Sequence, residues 1–237
     1  MKGDKYMNYY GSEKHRETMK GLDEQIFSKI KFDETDREKE LESGYSVKYY
    51  YYADEENRKP GYAAVDGEIC RLIKDGNTVF EWKNTDGHSR VASIIHHSNG
   101  NTYFIFDEDL YGYSVLDLGT LQCMHYIPAE SHPVLPEGFE ETFIWFNCFY
   151  NPVNDLLAVD GCFWAAPSDV IVLDFKDPMT PVEAKDWFSI YAVCGEDNYD
   201  LDDIDFVRWE EDTLVCKPTG ADPEAFELEG KCKVKFE

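Results

Sequence analysis

The sequence predicts an all-β protein, folded as an antiparallel meander of about four similar units, with a helical N-terminal extension over residues 1–44. Three observations support this prediction. Two long stretches in the middle of the chain follow the same pattern, and β-prone runs alternate with turn residues from residue 45 onward. Apolar side chains recur at helical spacing near the N-terminus.

The N-terminal extension is predicted to be helical because its apolar side chains recur every three to four residues, at Met19, Leu22, Ile26, Phe27 and Ile30. A second short helix is expected after Thr35, because residues 35–38 match a capping box, in which two side chains bond the first free amides of a helix. Gly44 would end that helix by adopting a positive φ.

Hairpin turns are predicted wherever Asp-Gly separates β-prone runs, because glycine takes the positive φ that such turns need. We predict such turns at three Asp-Gly pairs, at 66–67, 75–76 and 160–161. Turns are also predicted at 98–101 and at 119–120, and a short helix at 181–188 after a capping box at Thr180.

The C-terminal segment alternates apolar and charged side chains, as a half-buried strand does. Its apolar face comprises Phe226, Leu228, Cys232, Val234 and Phe236. The lysines on the other face suit an edge strand, since charge there discourages pairing with other chains. A bend or hairpin near Gly230 is the alternative.

The two similar stretches are residues 94–118 and 146–175. Each reads as a strand, an Asn-rich turn, a second strand, a loop and a strand ending in Val-Leu-Asp. Asp117 and Asp174, which end these strands, are 57 residues apart, a spacing typical of repeat architectures. We therefore predict four similar units, near 45–84, 90–128, 142–190 and 204–237.

This layout resembles a β-propeller, whose blades are four-stranded meanders, and it implies one propeller-like domain over residues 45–237. The alternative fold is a twisted sandwich of two sheets. The motifs at 111–117, 141–145 and 161–167, which read Tyr-Gly-Tyr-Ser-Val-Leu-Asp, Glu-Thr-Phe-Ile-Trp and Gly-Cys-Phe-Trp-Ala-Ala-Pro, also resemble a family of uncharacterised bacterial proteins. That resemblance implies no activity.

Composition favours a cytoplasmic protein. No apolar run is long enough to span a bilayer, and the polar N-terminus lacks the hydrophobic region of a signal peptide. The seven cysteines are scattered without a Cys-x-x-Cys pair, so neither a disulfide framework nor a zinc site is expected. The oligomeric state is left open by the sequence.

The net charge of −25 is the strongest guide to partners. A surface with this much negative charge repels nucleic-acid phosphates and anionic lipid, and it attracts cations and basic proteins. A solvated surface that serves only solubility is the simpler alternative.

Several residues are candidates for a functional site. A loop near 137–141 could supply acid/base carboxylates, as glycoside hydrolysis requires, and an exposed Trp164 could add an aromatic contact. The loop carboxylates are Glu137, Glu140 and Glu141. Cys162 could act as a nucleophile, although an isolated cysteine among aromatic residues is typically a core residue.

A weak calcium site is the one cofactor that the sequence suggests. Five carboxylates fall within nine residues, and calcium prefers oxygen ligands of this kind. They belong to Asp197, Asp200, Asp202, Asp203 and Asp205. A metal site made by histidines would need several of His96, His97, His125 and His132 to converge, but adjacent strand residues such as His96 and His97 point to opposite faces.

Two functional hypotheses follow. The first is a non-enzymatic interaction protein that binds a basic partner through its acidic surface, as an inhibitor or immunity-type protein would. The second is a hydrolase that acts on a sugar or a similar small substrate through loop carboxylates such as Glu140 and Glu141.

Overall fold

The computed structural model describes residues 9–131, 141–195, 201–220, 223–228 and 230–237, with side chains for all of these except 30–36, 130 and 195. It contains four sheets of four strands each. Sheet A comprises β1 Ile30–Glu40, β2 Tyr45–Ala53, β3 Asp66–Lys74 and β4 Asn77–Asn84; sheet B comprises β5 Ala92–His96, β6 Thr102–Phe106, β7 Tyr113–Asp117 and β8 Cys123–Tyr126. Sheet C comprises β9 Ile144–Asn151, β10 Leu156–Cys162, β11 Ser168–Asp174 and β12 Phe188–Ser189; sheet D comprises β13 Leu201–Glu210, β14 Thr213–Gly220, β15 Phe226–Leu228 and β16 Cys232–Phe236.

The all-β prediction is confirmed, since strands account for 49% of the structure and helices for 15%. Sheets A, B and C are antiparallel meanders in which neighbouring strands follow one another in the chain. Four separate sheets exclude the alternative of a two-sheet sandwich. None of the helices in the described part of the chain has the length and hydrophobicity needed to cross a bilayer.

Sheets A to D pack face to face in chain order, because the two middle sheets are apolar on both faces. Phe104 and Phe106 of β6 join the core shared with sheet A, whereas Tyr103 and Ile105, which point the other way, join the core shared with sheet C. A third core cluster lies between sheets C and D. None of these three clusters of described residues joins sheet D to sheet A, so closure into a propeller stays a prediction.

The two similar stretches occupy equivalent places in sheets B and C. Strands β6 and β10 are each the second strand of their sheet, and β7 and β11 are each the third. Asp117 and Asp174 also play the same role, because each accepts a hydrogen bond from the amide two residues later, over 2.8 and 3.1 Å. The repeat inferred from the sequence is therefore present in the structure.

The N-terminal region is helical only in part. Helix α1 covers Glu13–Leu22, with Ser12 as the N-cap, and a π-helical turn covers Asp23–Phe27. The second helix expected after Thr35 is wrong, since residues 30–40 form β1 and pair with β2. The capping-box sequence falls where the register of these strands shifts, between Phe32 and Arg37. Strand pairing with β2, rather than a helix, therefore supplies the backbone hydrogen bonds of this segment.

Of the three Asp-Gly pairs that were predicted to form hairpin turns, only one does so. Asp75 and Gly76 have φ angles of +50° and +77° and connect β3 to β4. The pairs at 66–67 and 160–161 lie within β3 and β10 instead. A Cβ atom on Gly67 would lie 2.7 Å from the Asn84 carbonyl oxygen, and one on Gly161 1.9 Å from that of Ile144. Glycine therefore serves there for close approach of two backbones.

The C-terminal region forms a hairpin with its turn at Gly230, whose φ is +67°. Strand β16 is not the edge of sheet D, because it lies between β14, to which it is parallel, and β15. Its lysines bind neighbouring acids rather than guarding an edge, as in the pair of Lys233 with Asp212. The helix predicted at 181–188 is reduced to one 3₁₀ turn, Ala184–Asp186.

Candidate functional site

The connection between β10 and β11 presents an exposed aromatic tip. The Trp164 side chain is 59% exposed and that of Phe163 is 38% exposed, whereas Phe143, which packs edge-to-face against Phe163, is fully buried. Ala165 has a φ of +57°, a left-handed conformation that residues with a Cβ rarely adopt. Phe163 thus packs on the buried ring of Phe143, whereas the ring of Trp164 stays exposed and is available for contact.

Hydrogen bonds hold this tip beside the first half of β13. The amide of Ser168 donates to the Asp203 carboxylate over 2.8 Å, and the amide of Phe206 donates to the Asp160 carboxylate over 2.8 Å. Asp203 also contacts the hydroxyl of Thr219 on β14. These contacts bring residues about 40 positions apart in the chain into one surface.

Four carboxylates lie on β10 and on the first half of β13, which the hydrogen bonds above join to the tip, and none forms an ion pair within the described part of the chain. They belong to Asp160, Asp202, Asp203 and Asp205. Lys217 is the register partner of Asp205, yet no ion pair forms between them. Burial, together with the negative charge of Asp205, raises the pKa of Asp160 to about 6. We call residues 163–167 with these four carboxylates the aromatic–acidic surface.

The chemistry of this surface suits cationic groups. Carboxylates accept strong charge-assisted hydrogen bonds from guanidinium and ammonium groups, and an exposed indole attracts cations to its face.

The structure describes only some of the residues that the sequence predicts for a site. Trp164 is exposed, as is Glu141, and Asp202, Asp203 and Asp205 lie on β13. Glu137, Glu140, Asp197, Asp200 and His132 lie outside the described residues. The carboxylate pair of the hydrolase hypothesis therefore stays a prediction.

No group of three or more potential metal ligands occurs among the side chains that the structure describes. Asp203 is already bonded to Ser168 and Thr219, which leaves Asp202 and Asp205 as the exposed members of the proposed calcium loop. The weak calcium site, which also needs Asp197 and Asp200, stays a prediction.

The adjacent histidines point in opposite directions, as the strand pattern predicts. His96 is exposed, whereas His97 is buried. The Nε2 atom of His97 lies 2.9 Å from the carbonyl oxygen of Phe175, and its Nδ1 accepts a hydrogen bond from the amide of Asn99 over 3.1 Å. Because both ring nitrogens are engaged, His97 has a structural role.

A second polar cluster has the composition of a catalytic triad but not its geometry. Ser114 Oγ lies 3.0 Å from His125 Nδ1, and Glu108 Oε2 lies 2.5 Å from the same nitrogen. In a triad the nucleophile and the carboxylate bond opposite ring nitrogens. Ser114 also donates directly to Glu108, so the three side chains form a closed structural network.

Cys162 is also unsuited to nucleophilic chemistry. Burial raises the pKa of its thiol, which keeps the reactive thiolate scarce at neutral pH.

Comparison with known proteins adds no relative. No protein-family model matches this sequence, and no curated protein matches it significantly.

Proposed function

We propose that this protein is a non-enzymatic binding protein, of the inhibitor or immunity type, that recognises a basic partner protein through its aromatic–acidic surface. The observation that supports the proposal is an exposed Trp164 on a tip that hydrogen bonds join to β13, together with four carboxylates on β10 and β13 that have no ion-pair partner in the described part of the chain. The net charge of −25 extends the same negative potential over the whole molecule.

An arginine- or lysine-rich segment fits this surface chemically. A guanidinium group can stack on the Trp164 indole while it donates hydrogen bonds to a neighbouring carboxylate. Exposed tryptophans that become buried in a complex are among the residues that contribute most to binding. The long-range negative potential would speed association with a basic partner, and that effect weakens as salt rises.

Affinity capture at low and high salt tests the proposal. The immobilised protein is expected to retain basic proteins at low salt and to release them at high salt, and Trp164→Ala and the double variant Asp202→Asn, Asp205→Asn are expected to retain much less. Tyr62→Ala is the matched control, because Tyr62 is 69% exposed and lies outside the aromatic–acidic surface.

The comparison with Tyr62→Ala separates a local surface from a general charge effect. Retention of the same proteins by wild type and Trp164→Ala, or retention that does not depend on salt, would contradict the proposal. A captured partner is then purified and titrated calorimetrically against each variant. We expect the loss of Trp164 to weaken its binding at least tenfold, which corresponds to about 1.4 kcal/mol.

A further inference from the structure

A cavity of about 550 Å³ lies between helix α1 and the ends of β4 and β6. This volume falls in the range of about 300–1,000 Å³ that is typical of sites for small organic ligands. Its apolar lining includes the rings of Tyr10 and Trp82 and the side chains of Met19 and Ile127. The cavity lies apart from the aromatic–acidic surface and shares no residue with it.

Most of the acids that line the cavity already have partners. Glu81 is paired with Arg71 at 2.7 Å, and Asp23 is paired with Lys83 at 2.5 Å. Glu108 is engaged by Ser114 and His125, as described above. These groups shape the wall of the cavity, but they have little capacity left for a ligand.

Asp109 is the exception among the acids. Its carboxylate accepts a hydrogen bond of 2.7 Å from the amide of the next residue, Leu110, and it forms no ion pair within the described part of the chain. Burial, together with the nearby carboxylates of Asp86, Glu108 and Asp107, raises its pKa to about 6. A nearby cation would stabilise the charged form of this carboxylate, and no described side chain forms an ion pair with it.

Helix α1 contributes the opposite charge. Arg16 and Lys20 lie one helical turn apart and both line the cavity. Arg16 donates one hydrogen bond to the carbonyl oxygen of Gly11, which leaves most of its guanidinium free. Lys20 forms no ion pair with any described residue. The cavity therefore combines an uncompensated carboxylate, cationic groups with spare donors and aromatic rings.

We infer that this cavity binds a free amino acid with an aromatic side chain, whose ammonium group pairs with Asp109 and whose carboxylate pairs with Arg16 and Lys20. Its ring would pack against the apolar lining that Trp82, Met19 and Ile127 form. A ligand with only one charge would leave one of the two poles of the cavity uncompensated. This inference does not depend on the proposed function.

Calorimetric titration with three matched probes tests the inference. L-phenylalanine carries both charged groups, phenethylamine lacks the carboxylate, and phenylpropionate lacks the ammonium group. We expect L-phenylalanine to bind at least tenfold more tightly than either of the others. Absence of binding at about 10 mM, where a millimolar Kd is readily detected, or equal binding of all three probes would overturn the inference.

Two variants test which side chains bind the ammonium group and the carboxylate of the ligand. Asp109→Asn is expected to weaken L-phenylalanine and phenethylamine at least tenfold and to leave phenylpropionate unchanged. Lys20→Gln is expected to weaken L-phenylalanine and phenylpropionate but not phenethylamine. Lys14→Gln is the matched control, because Lys14 is exposed on the same helix and does not line the cavity.

The Lys20 comparison remains decisive if Asp109→Asn fails to fold, since Lys20 is exposed and its replacement leaves the core intact. Equal L-phenylalanine affinity in Lys20→Gln and Lys14→Gln would overturn the assignment of the carboxylate pole. An unchanged affinity in folded Asp109→Asn would overturn the inference as a whole.

Discussion

The hydroxyl of Ser89 donates a hydrogen bond of 2.6 Å to the carboxylate of Asp107, and both side chains are buried where sheet A meets sheet B. The amides of Arg90 and Val91 and the side-chain amide of Asn84 donate to the same carboxylate. Even with these donors, burial raises the pKa of Asp107 to about 6. Burial therefore makes the charged form of Asp107 less favourable in the folded protein than in the unfolded chain.

We expect the protein to become more stable as the pH is lowered from 7.5 to 5. The pKa of Asp107 is about 6 in the folded state and about 3.8 in the unfolded chain, so the folded state binds the proton first. Its contribution to stability is fully present below pH 3.8 and is lost as the pH rises through 6. Over this interval Asp107 adds roughly 1 kcal/mol, or about 3 °C in Tm, which thermal melts at a series of pH values will measure.

Asp107→Asn is the control for this pH dependence, because asparagine does not titrate. Its gain in Tm between pH 7.5 and 5 is expected to be smaller than that of the wild type by about 3 °C. Ser89→Ala should move the transition to higher pH, since the hydroxyl of Ser89 lowers the pKa of Asp107. Identical pH profiles for all three proteins would contradict this account of Asp107.

Arg37→Gln is expected to destabilise the fold by roughly 2–4 kcal/mol, measured by urea denaturation. Arg37 pairs at 3.1 Å with Glu68, whose side chain is fully buried, and it stacks on the ring of Tyr49. Removal of the guanidinium leaves a buried carboxylate whose remaining partners among the described residues are His88 and the Ser89 amide.

An exposed ion pair provides the comparison for Arg37. Arg58 and Glu55 form a pair at 3.4 Å in which both side chains are about half exposed, so Arg58→Gln should cost less than about 1 kcal/mol. Similar losses of unfolding free energy in Arg37→Gln and Arg58→Gln would mean that burial of Glu68 does not determine how much Arg37 stabilises the fold.

Gly161→Ala is expected to reduce the stability by roughly 3 kcal/mol or more, because its methyl group would meet the backbone of Ile144. Gly21→Ala should do the reverse and raise the stability by up to about 1 kcal/mol, since Gly21 lies within α1 and has open space around it. Equilibrium unfolding in urea compares the two. A tolerated Gly161→Ala would show that β9 and β10 do not approach each other this closely.

The repeated aspartates provide a fourth prediction. Asp117→Ala and Asp174→Ala should each lower the stability by about 1 kcal/mol, because each carboxylate caps the turn that follows its strand. Asp117→Ala should cost more, since Asp117 also accepts a bond from the amide of Thr120. Asp186→Ala is the neutral comparison, because Asp186 is exposed. Asp177→Ala would not be neutral, because Asp177 caps a turn of its own. Thermal melts of the three alanine variants at positions 117, 174 and 186 test the shared role.

The sequence by itself determined the strand-rich fold, the approximate limits of the last three units and the equivalence of the stretches around Asp117 and Asp174, whereas the first unit begins at Ile30 rather than at residue 45. These features depend on side-chain alternation and on turns such as Asp75-Gly76, and both are local properties of the chain. The opposite orientations of His96 and His97 followed from the same alternation, and the structure shows that His97 is the buried one.

Some local sequence patterns are compatible with two different structures, and there the tertiary structure decided which one forms. An Asp-Gly pair can form a turn, but glycine also permits the close contact of Gly161 with β9. A Thr-x-x-Glu sequence can cap a helix, but in the folded protein the segment 30–40 forms a strand that pairs with β2. The surface that joins Trp164 to Asp203, and the cavity that joins Lys20 to Asp109, unite residues about 40 to 90 positions apart. Only the packing of the sheets and of α1 places such residues together, because no local interaction acts over that distance in the chain.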